Sequence, residues 1–272
     1  MSAGILFLIP APLGEVDAAS VLPQSALAIV RGLDRFIAED PKSARAFLKS
    51  VEMPQPLAQI AIATLNEHTT AAELPELLAP LLAGARIGLL SEAGYPAVAD
   101  PGADLISAAH AHGVRIAPLI GPSSLLLALC ASGLNGQSFC FHGYLPVEAH
   151  ARSAAITELE ARSRREMATQ IFIETPYRND RLLETLLAVC QSDTLLCIAT
   201  DLTLPGESVR TQSVASWKSK VPDLNRRPSV FLLQAMPTRV NAPTEKPRNA
   251  TAPRRSRSRS DARSARRYSP SE

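Results

Sequence analysis

Five short apolar runs, at 5–9, 35–39, 60–64, 86–90 and 115–119, recur through the first 119 residues with amphipathic segments between them. This alternation constrains the fold more than any other feature. Strands that read apolar throughout are buried on both faces, and strands separated by a helix-length connection pair in parallel. The intervening segments at 24–33, 42–51, 71–83 and 103–113 carry helical spacing and helical punctuation. Gly32 and Gly113 stand at two of their ends, and Asp40-Pro41 supplies a cap and a first-turn proline for 42–51. A parallel sheet with helices on both faces is the expected architecture.

The loops after these strands carry the functional signal. Residues 91–102, Ser-Glu-Ala-Gly-Tyr-Pro-Ala-Val-Ala-Asp-Pro-Gly, follow one apolar run and precede a helix. Gly94 and Gly102 let the backbone approach a ligand closely, and Pro96 and Pro101 stiffen the turn. In open α/β sheets ligands bind at this end of the strands. Pro10-Ala-Pro-Leu-Gly14 is a second such loop, and Ile120-Gly-Pro-Ser-Ser124 is a third. In the third loop Ser123 or Ser124 caps the helix 125–132. The same turn aims backbone N–H groups and hydroxyls outward, as a seat for a carboxylate or phosphate.

Beyond residue 134 the pattern changes. Strand-like runs at 139–145, 170–174, 194–200 and 229–234 are interspersed with helices at 148–165 and 180–191. Fewer strands accompany each helix, so a smaller mixed sheet is expected. The chain divides into an N-terminal α/β domain over 1–119, a C-terminal mixed α/β domain over 120–240, and a tail over 241–272. Pro, Arg and Ser dominate the tail, which cannot bury a core and reads as disordered. It holds nine Lys or Arg against three Asp or Glu, whereas residues 1–240 hold 19 against 23, a net charge of −4. Attraction to a polyanion therefore comes from the tail or from a local patch. The tail is either an RNA-binding segment or a solvated extension.

Other classes are set aside. No apolar run reaches the ~18 residues of a membrane span. The apolar stretch at 4–12 has no basic segment before it, so it reads as a strand rather than a signal peptide. Cys130, Cys140, Cys190 and Cys197 lie in apolar surroundings without metal-type spacing. They are expected to be buried free thiols in a reducing cytoplasm, with no metal site.

In order, the chain presents IPAPLGE (9–15), IAED (37–40), NEHT (66–69), SEAGYPAVADPG (91–102), IGPSS (120–124), ASGL (131–134), FHGYLP (141–146), FIETPYR (172–178) and TDLT (200–203). This series, over about residues 4–236, resembles the S-adenosylmethionine-dependent methyltransferases of the tetrapyrrole methylase superfamily. Within it, the chain is similar to the branch of ribosomal RNA small-subunit methyltransferase I, which 2′-O-methylates a cytidine. The resemblance implies two α/β domains, a homodimer, ribosomal RNA as partner, and S-adenosyl-L-methionine in the cleft between domains. By position, its cofactor contacts fall on Pro10, Gly94, Pro96, Ala97, Val98, Ser123, Ser124, Phe172 and Leu202. The departures sit at other polar positions: Glu39-Asp40-Pro41-Lys42, Asn66-Glu67-His68-Thr69, Tyr95 in place of a threonine, and Thr175-Pro176-Tyr177-Arg178.

A hydroxyl acceptor calls for a base. The polar groups at expected strand ends are Glu39, Asp40, Glu67, His68, Glu92, Asp100, Glu174 and Arg178. Asp40, His68, Glu92 and Glu174 are the catalytic candidates. Asp40 reads equally as a helix cap, His68 as a loop residue, and Glu174 as the partner of Arg178. Two other functions remain open: methylation of a small molecule such as a tetrapyrrole, and RNA-associated cofactor binding with little turnover.

Overall fold

The computed structural model describes residues 4–236, so the basic tail from Asn241 lies outside the described residues. The first sheet contains β1 (Ile5–Ile9), β2 (Arg35–Ala38), β3 (Ala61–Thr64), β4 (Arg86–Leu90) and β5 (Arg115–Pro118). Its order is β3-β2-β4-β1-β5, and every pairing is parallel. Alternate residues feed two separate cores, as the two-residue period of a strand requires. Phe7, Ile9, Phe36, Ala38 and Leu90 pack with α1 (Ala18–Val21), α2 (Gln24–Arg31) and α3 (Pro41–Ser50). Leu6, Ile37, Ile87 and Leu89 pack on the other face with α4 (Leu74–Leu82) and α5 (Ala103–Ala111).

β1 and β4 are neighbours, yet the chain leaves them in opposite directions. After β1 it enters α1 and α2 on one face, and after β4 it enters α5 on the other. That divergence opens a crevice at the carboxyl ends of the two strands.

The second sheet contains β6 (Phe139–Tyr144), β7 (Thr169–Ile173), β8 (Leu195–Thr200), β9 (Ser208–Ser213) and β10 (Ser229–Gln234). Its order is β6-β7-β10-β8-β9, with β6 and β7 parallel and the other neighbours antiparallel. The sheet is mixed, as the sequence suggested, but it has five strands and is not the smaller of the two. The unexpected strand is β9, whose sequence Ser-Val-Arg-Thr-Gln-Ser carries one apolar residue. An edge strand paired on one side tolerates such polarity.

Phe172, Leu196, Ile198, Phe231 and Leu233 face α7 (Ala149–Glu166), α8 (Asn179–Val189) and α9 (Val214–Ser219). Ile171, Cys197, Ala199, Val230 and Leu232 face α6 (Ser124–Ser132) on the other side. The cysteines divide, against expectation. Cys190 and Cys197 are buried, Cys140 is half-buried, and Cys130 is exposed on α6 because α6 buries only one side. Burial pushes the Cys190 thiol up to about 12, so it stays protonated.

Three strand-end loops of the first sheet are laced together. Ala11 and Gly94 exchange backbone hydrogen bonds of 2.8 and 3.1 Å. The Tyr95 hydroxyl donates to Leu119 O at 2.9 Å and accepts from Gly121 N at 3.1 Å. Gly121 lies so close to the Pro10 ring that a Cβ there would sit 2.2 Å from Pro10 Cγ.

Two outcomes follow from this packing. Phe172 and Phe231 are fully buried and stacked at 6.0 Å. Phe172→Ala is expected to cost about 3–5 kcal/mol, read as a fall of roughly 10 °C in Tm by circular dichroism. Tyr95→Phe strips the Gly121 N–H and the Leu119 carbonyl of a shared partner. It is expected to cost about 1–3 kcal/mol in chemical denaturation, and an unchanged midpoint would mean that the hydroxyl ties nothing together.

Candidate functional site

A cavity of about 400 Å³ lies between the laced loops of the first sheet and the α6-side face of the second. Its floor is apolar: Leu13 and Leu125 from one side, and Phe141, Ile173, Ala199 and Val230 from the other. These positions belong to one face of β6, β7, β8 and β10 by strand alternation. β6 shifts register between Phe141 and Tyr144, with Gly143 at φ 64°. This irregularity re-aims the strand end, and Tyr144 joins the cavity wall.

The loop after β4 forms the opposite wall through Glu92, Gly94, Val98, Ala99 and Asp100. Its backbone is unusual. Gly94 has φ 71°, and two non-glycine residues, Ala97 and Ala99, sit at 63° and 64°. Left-handed alanines carry strain of order 1 kcal/mol or more, and such strain gathers where a loop is held for a ligand.

Ser123 and Ser124 stand at the N-terminus of α6 and both line the cavity. Ser123 caps the helix, with its Oγ 3.5 Å from Leu126 N. The Ser124 hydroxyl makes no hydrogen bond among the described residues and is free for a ligand. Unpaired N–H groups and the helix dipole at this end favour a negative group.

The rim is acidic. Glu92, Asp100 and Glu174 line the cavity. Burial, then the neighbouring Glu39 and Glu92 carboxylates, push Asp100 up to about 6, against the opposing hydrogen bond from Ser91. Glu39 is likewise raised, by burial first and then by Glu92, Glu67 and Asp40. The Tyr144 phenol is raised by burial and by the Asp100 and Glu174 charges.

The sequence-derived residues separate into groups. Gly94, Val98, Ser123, Ser124, Leu202, Glu92 and Glu174 all reach the cavity. Pro10, Pro96 and Ala97 support it from behind. Pro10 packs on Gly121, Pro96 is buried, and the Ala97 Cβ would meet any side chain at Gly102. The Phe172 ring points into the opposite core, and the adjacent Ile173 takes the wall position. Asp40 caps α3, its Oδ1 accepting from Lys42 N and its Oδ2 from Ser43 N and Ser43 Oγ, and these bonds hold its carboxyl below the usual range. His68 lies outside the cavity wall, with its side chain 83% exposed and 3.6 Å from Glu67. Glu174 lines the cavity, but its Oε1 is engaged by Arg178 Nη2 at 2.6 Å, by Arg178 Nε and by Thr175 N. Leu13, Phe141 and Tyr144 were not singled out from the sequence. Their signal is strand parity, which has meaning only once register is known.

Among the described residues no group of three or more His, Cys, Asp or Glu is arranged to hold a metal. No helix among the described residues is long and apolar enough to cross a membrane.

Comparison with known proteins gives this geometry a context. The family model described as Tetrapyrrole (Corrin/Porphyrin) Methylases matches residues 6–217. A protein named ribosomal RNA small subunit methyltransferase I from Escherichia coli O157:H7 is 31% identical over 233 residues, covering 85% of this chain and 77% of that protein. Its namesake from Xylella fastidiosa is 32% identical over 231 residues, covering 85% and 80%. The crystal structure of the methyltransferase CobJ superposes with a TM-score of 0.55 at 17% identity, covering 86% of this chain and 95% of that one, which is a likeness of fold. A two-sheet fold with its cavity at laced strand ends, a family model over most of the chain, and relatives above 30% identity agree: this chain belongs to the tetrapyrrole methylase family of methyltransferases, in the branch of ribosomal RNA small subunit methyltransferase I.

Proposed function

We propose that this protein transfers a methyl group from S-adenosylmethionine to a ribose hydroxyl of small-subunit ribosomal RNA. The observation that carries the proposal is the content of one cavity: an apolar floor, a helix N-terminus with an unengaged serine hydroxyl, and a carboxylate pushed up to about 6. The volume and the mix of apolar wall with few polar groups suit a cofactor-sized organic molecule. The relatives' names supply the acceptor class.

The residues present fit S-adenosylmethionine. Ser124 and the α6 N-terminus suit its carboxylate, and Leu13, Ile173, Ala199, Leu202 and Val230 suit its apolar and aromatic parts. At Gly94 a side chain would be strained by φ, which keeps that wall open to close backbone approach. When bound, the cofactor supplies an electrophilic methyl on a sulfonium sulfur, open to in-line displacement. The chain must then hold the acceptor oxygen, exclude water and receive a proton. Asp100 is the group for the last task, because a carboxylate titrating near 6 is ionised at neutral pH yet more basic than an ordinary one. Glu174, committed to Arg178, acts as a positioning residue on the opposite rim.

Two further features belong to the same proposal. The chain acts as two domains closing on the cavity and pairs as a homodimer through α6, which leaves Leu126, Leu127 and Cys130 uncovered beside an Ile120 that is 74% exposed. It works in the cytoplasm, where small-subunit RNA is modified.

Titration calorimetry tests the cofactor seat. S-adenosylmethionine is expected to bind in the micromolar range, with affinity falling about tenfold in Ser124→Ala, the loss of one hydrogen bond to a charged group. Ser124 is the cleaner target, since Ser123→Ala also removes a helix cap. A folded wild-type protein that binds no cofactor would end the methyltransferase proposal.

Asp100 gives a pH test with two signs. Turnover is expected to rise as pH increases through about 6, and Asp100→Asn is expected to lower kcat by about 100-fold or more. Stability runs the other way. The folded-state value lies above the ordinary 3.8, so the fold favours the protonated acid, and that contribution is lost as pH rises through about 6. Asp100→Asn is therefore expected to raise Tm at pH 8 while lowering turnover. A flat pH–rate profile with full activity in the variant would remove Asp100 from the mechanism.

A further inference from the structure

The methyl-transfer cavity cannot itself attract a polyanion, because Glu92, Asp100 and Glu174 line it and Glu39 lies nearby. Residues 1–240 carry a net charge of −4. Within that acidic body one stretch reverses the sign. Residues 208–227 hold five cations, Arg210, Lys218, Lys220, Arg226 and Arg227, against the single acid Asp223.

The fold gathers three of these five into one hollow. A second cavity, of about 510 Å³, is walled by β8, β9, α9 and the segment that leads into β10. Ser208, Arg210 and Gln212 stand on one face of β9, opposite Thr200, Ile198 and Leu196 of β8 in the antiparallel register. Lys220 closes the end beyond α9, and Arg227 enters from the far side. The lining holds Arg210, Lys220 and Arg227 and no carboxylate. Arg227 is matched by Asp201, with Nη2 2.6 Å from Oδ2. Arg210 and Lys220 are exposed and make no ion pair among the described residues. Of the hydroxyls on the same wall, Thr200 donates to Ser208 O, Ser219 donates to Ser216 O and Ser216 bonds Ser213, while the Ser208 hydroxyl makes no hydrogen bond among the described residues. Arg210 and Lys220, free of ion-pair partners, together with the Ser208 hydroxyl and the Gln212 amide on the same wall, form a donor set for phosphate oxygens.

The hollow and the methyl-transfer cavity share a wall. On β8, Ala199 faces the cavity while Ile198 and Thr200 face the hollow. At the start of β10, Arg227 faces the hollow, and Pro228 and Ser229 face the cavity. β9 is the edge of the sheet and carries Ser208, Arg210 and Gln212 into the hollow, whereas β8 and the start of β10 supply residues to both hollow and cavity.

We propose that this basic hollow is a phosphate seat for the backbone of the RNA substrate, holding the flanking nucleotides while the reactive ribose lies in the acidic cavity. The proposal rests on the RNA reading of the methyl-transfer site. It assigns to Arg210 and Lys220 the attraction that the rest of the body lacks, and it is sequence-independent, as phosphate contacts are.

The test uses the full chain with a single-stranded RNA of about 30 nucleotides, a length that spans several phosphate contacts. Trp217, the chain's one tryptophan, lines the hollow with its Nε1 donating to Leu196 O, so its fluorescence reports on this wall. Wild type is expected to bind the RNA with a change in tryptophan emission. Arg210→Ala/Lys220→Ala is expected to bind at least tenfold more weakly at low salt, with the slope of log affinity against log salt reduced by about 1.4, two contacts at about 0.7 each. Arg210→Glu/Lys220→Glu is expected to lose binding further. S-adenosylmethionine affinity is expected to stay at the wild-type value in both. Lys49→Ala/Arg115→Ala removes equal charge from exposed positions on α3 and β5 and is expected to leave RNA affinity within about twofold.

An Arg210→Ala/Lys220→Ala protein that binds RNA like the Lys49/Arg115 control overturns the phosphate seat and leaves the methyltransferase reading intact. A wild type that binds neither cofactor nor RNA overturns both. Inorganic phosphate that changes Trp217 emission, in a protein whose RNA affinity ignores the two substitutions, marks a site for free phosphate and overturns the RNA assignment.

Discussion

Two backbone hydrogen bonds between Ala11 and Gly94, and one tyrosine hydroxyl, hold the working end of the first sheet together. Loops after parallel strands have no reason of their own to stay in register, because the ladder ends where the strands end. Here the loops after β1, β4 and β5 are pinned to each other instead. Tyr95 satisfies both Leu119 and Gly121, and Gly121 lies against Pro10. With the three loops fixed as one platform, the strained Ala97 and Ala99 can be held, Asp100 can be kept partly desolvated, and α6 can begin at a defined place. The cavity is therefore a consequence of loop lacing as much as of either sheet.

The second sheet divides two kinds of chemistry. Its α6-side face offers Ile173, Ala199 and Val230 to the cavity, under an acidic rim. The other side of β8 and β9 faces a hollow that holds Arg210 of β9 and Lys220 from beyond α9, neither in an ion pair among the described residues. A single strand thickness separates them, and strand alternation alone does the sorting. Burial first, and then the neighbouring Glu39 and Glu92 carboxylates, raise Asp100, and this is what makes it the proposed base. The same charges repel a phosphate backbone, which is why the proposed RNA contact lies in the basic hollow and not in this cavity. Two adjacent surfaces of opposite sign are the basis of the proposed division between methyl transfer and RNA attraction.

Much of this was legible from residues alone. The apolar runs of the first sheet, their parallel pairing and the helices on both faces follow from hydrophobic pattern, because burial on both sides leaves an unbroken apolar signature. The Gly/Pro loops were legible because backbone freedom and stiffness are local properties. β9 was hidden because Ser-Val-Arg-Thr-Gln-Ser has almost no apolar signal, and an edge strand does not need one. Phe172 and Ile173 are adjacent in sequence, and nothing local says which of them faces the cavity. His68 read as either a base or a loop residue because residue type alone is chemically versatile, and its position leaves its side chain in solvent beside Glu67.

By itself the sequence determined the class of fold, the loops that form the site and, through the order of its motifs, the family. These depend on local pattern, spacing and order, which survive without coordinates. Only the tertiary structure decided which carboxylate is basic, which serine is free and where the positive charge gathers. Those properties depend on distance between residues far apart in the chain. Asp100 is raised by burial and then by Glu39 and Glu92, Glu174 is spent on Arg178, and Arg210 and Lys220 meet Arg227 only because β9, α9 and the segment before β10 fold around one hollow. Charge and proton affinity are set by three-dimensional neighbours, and the linear chain does not name them.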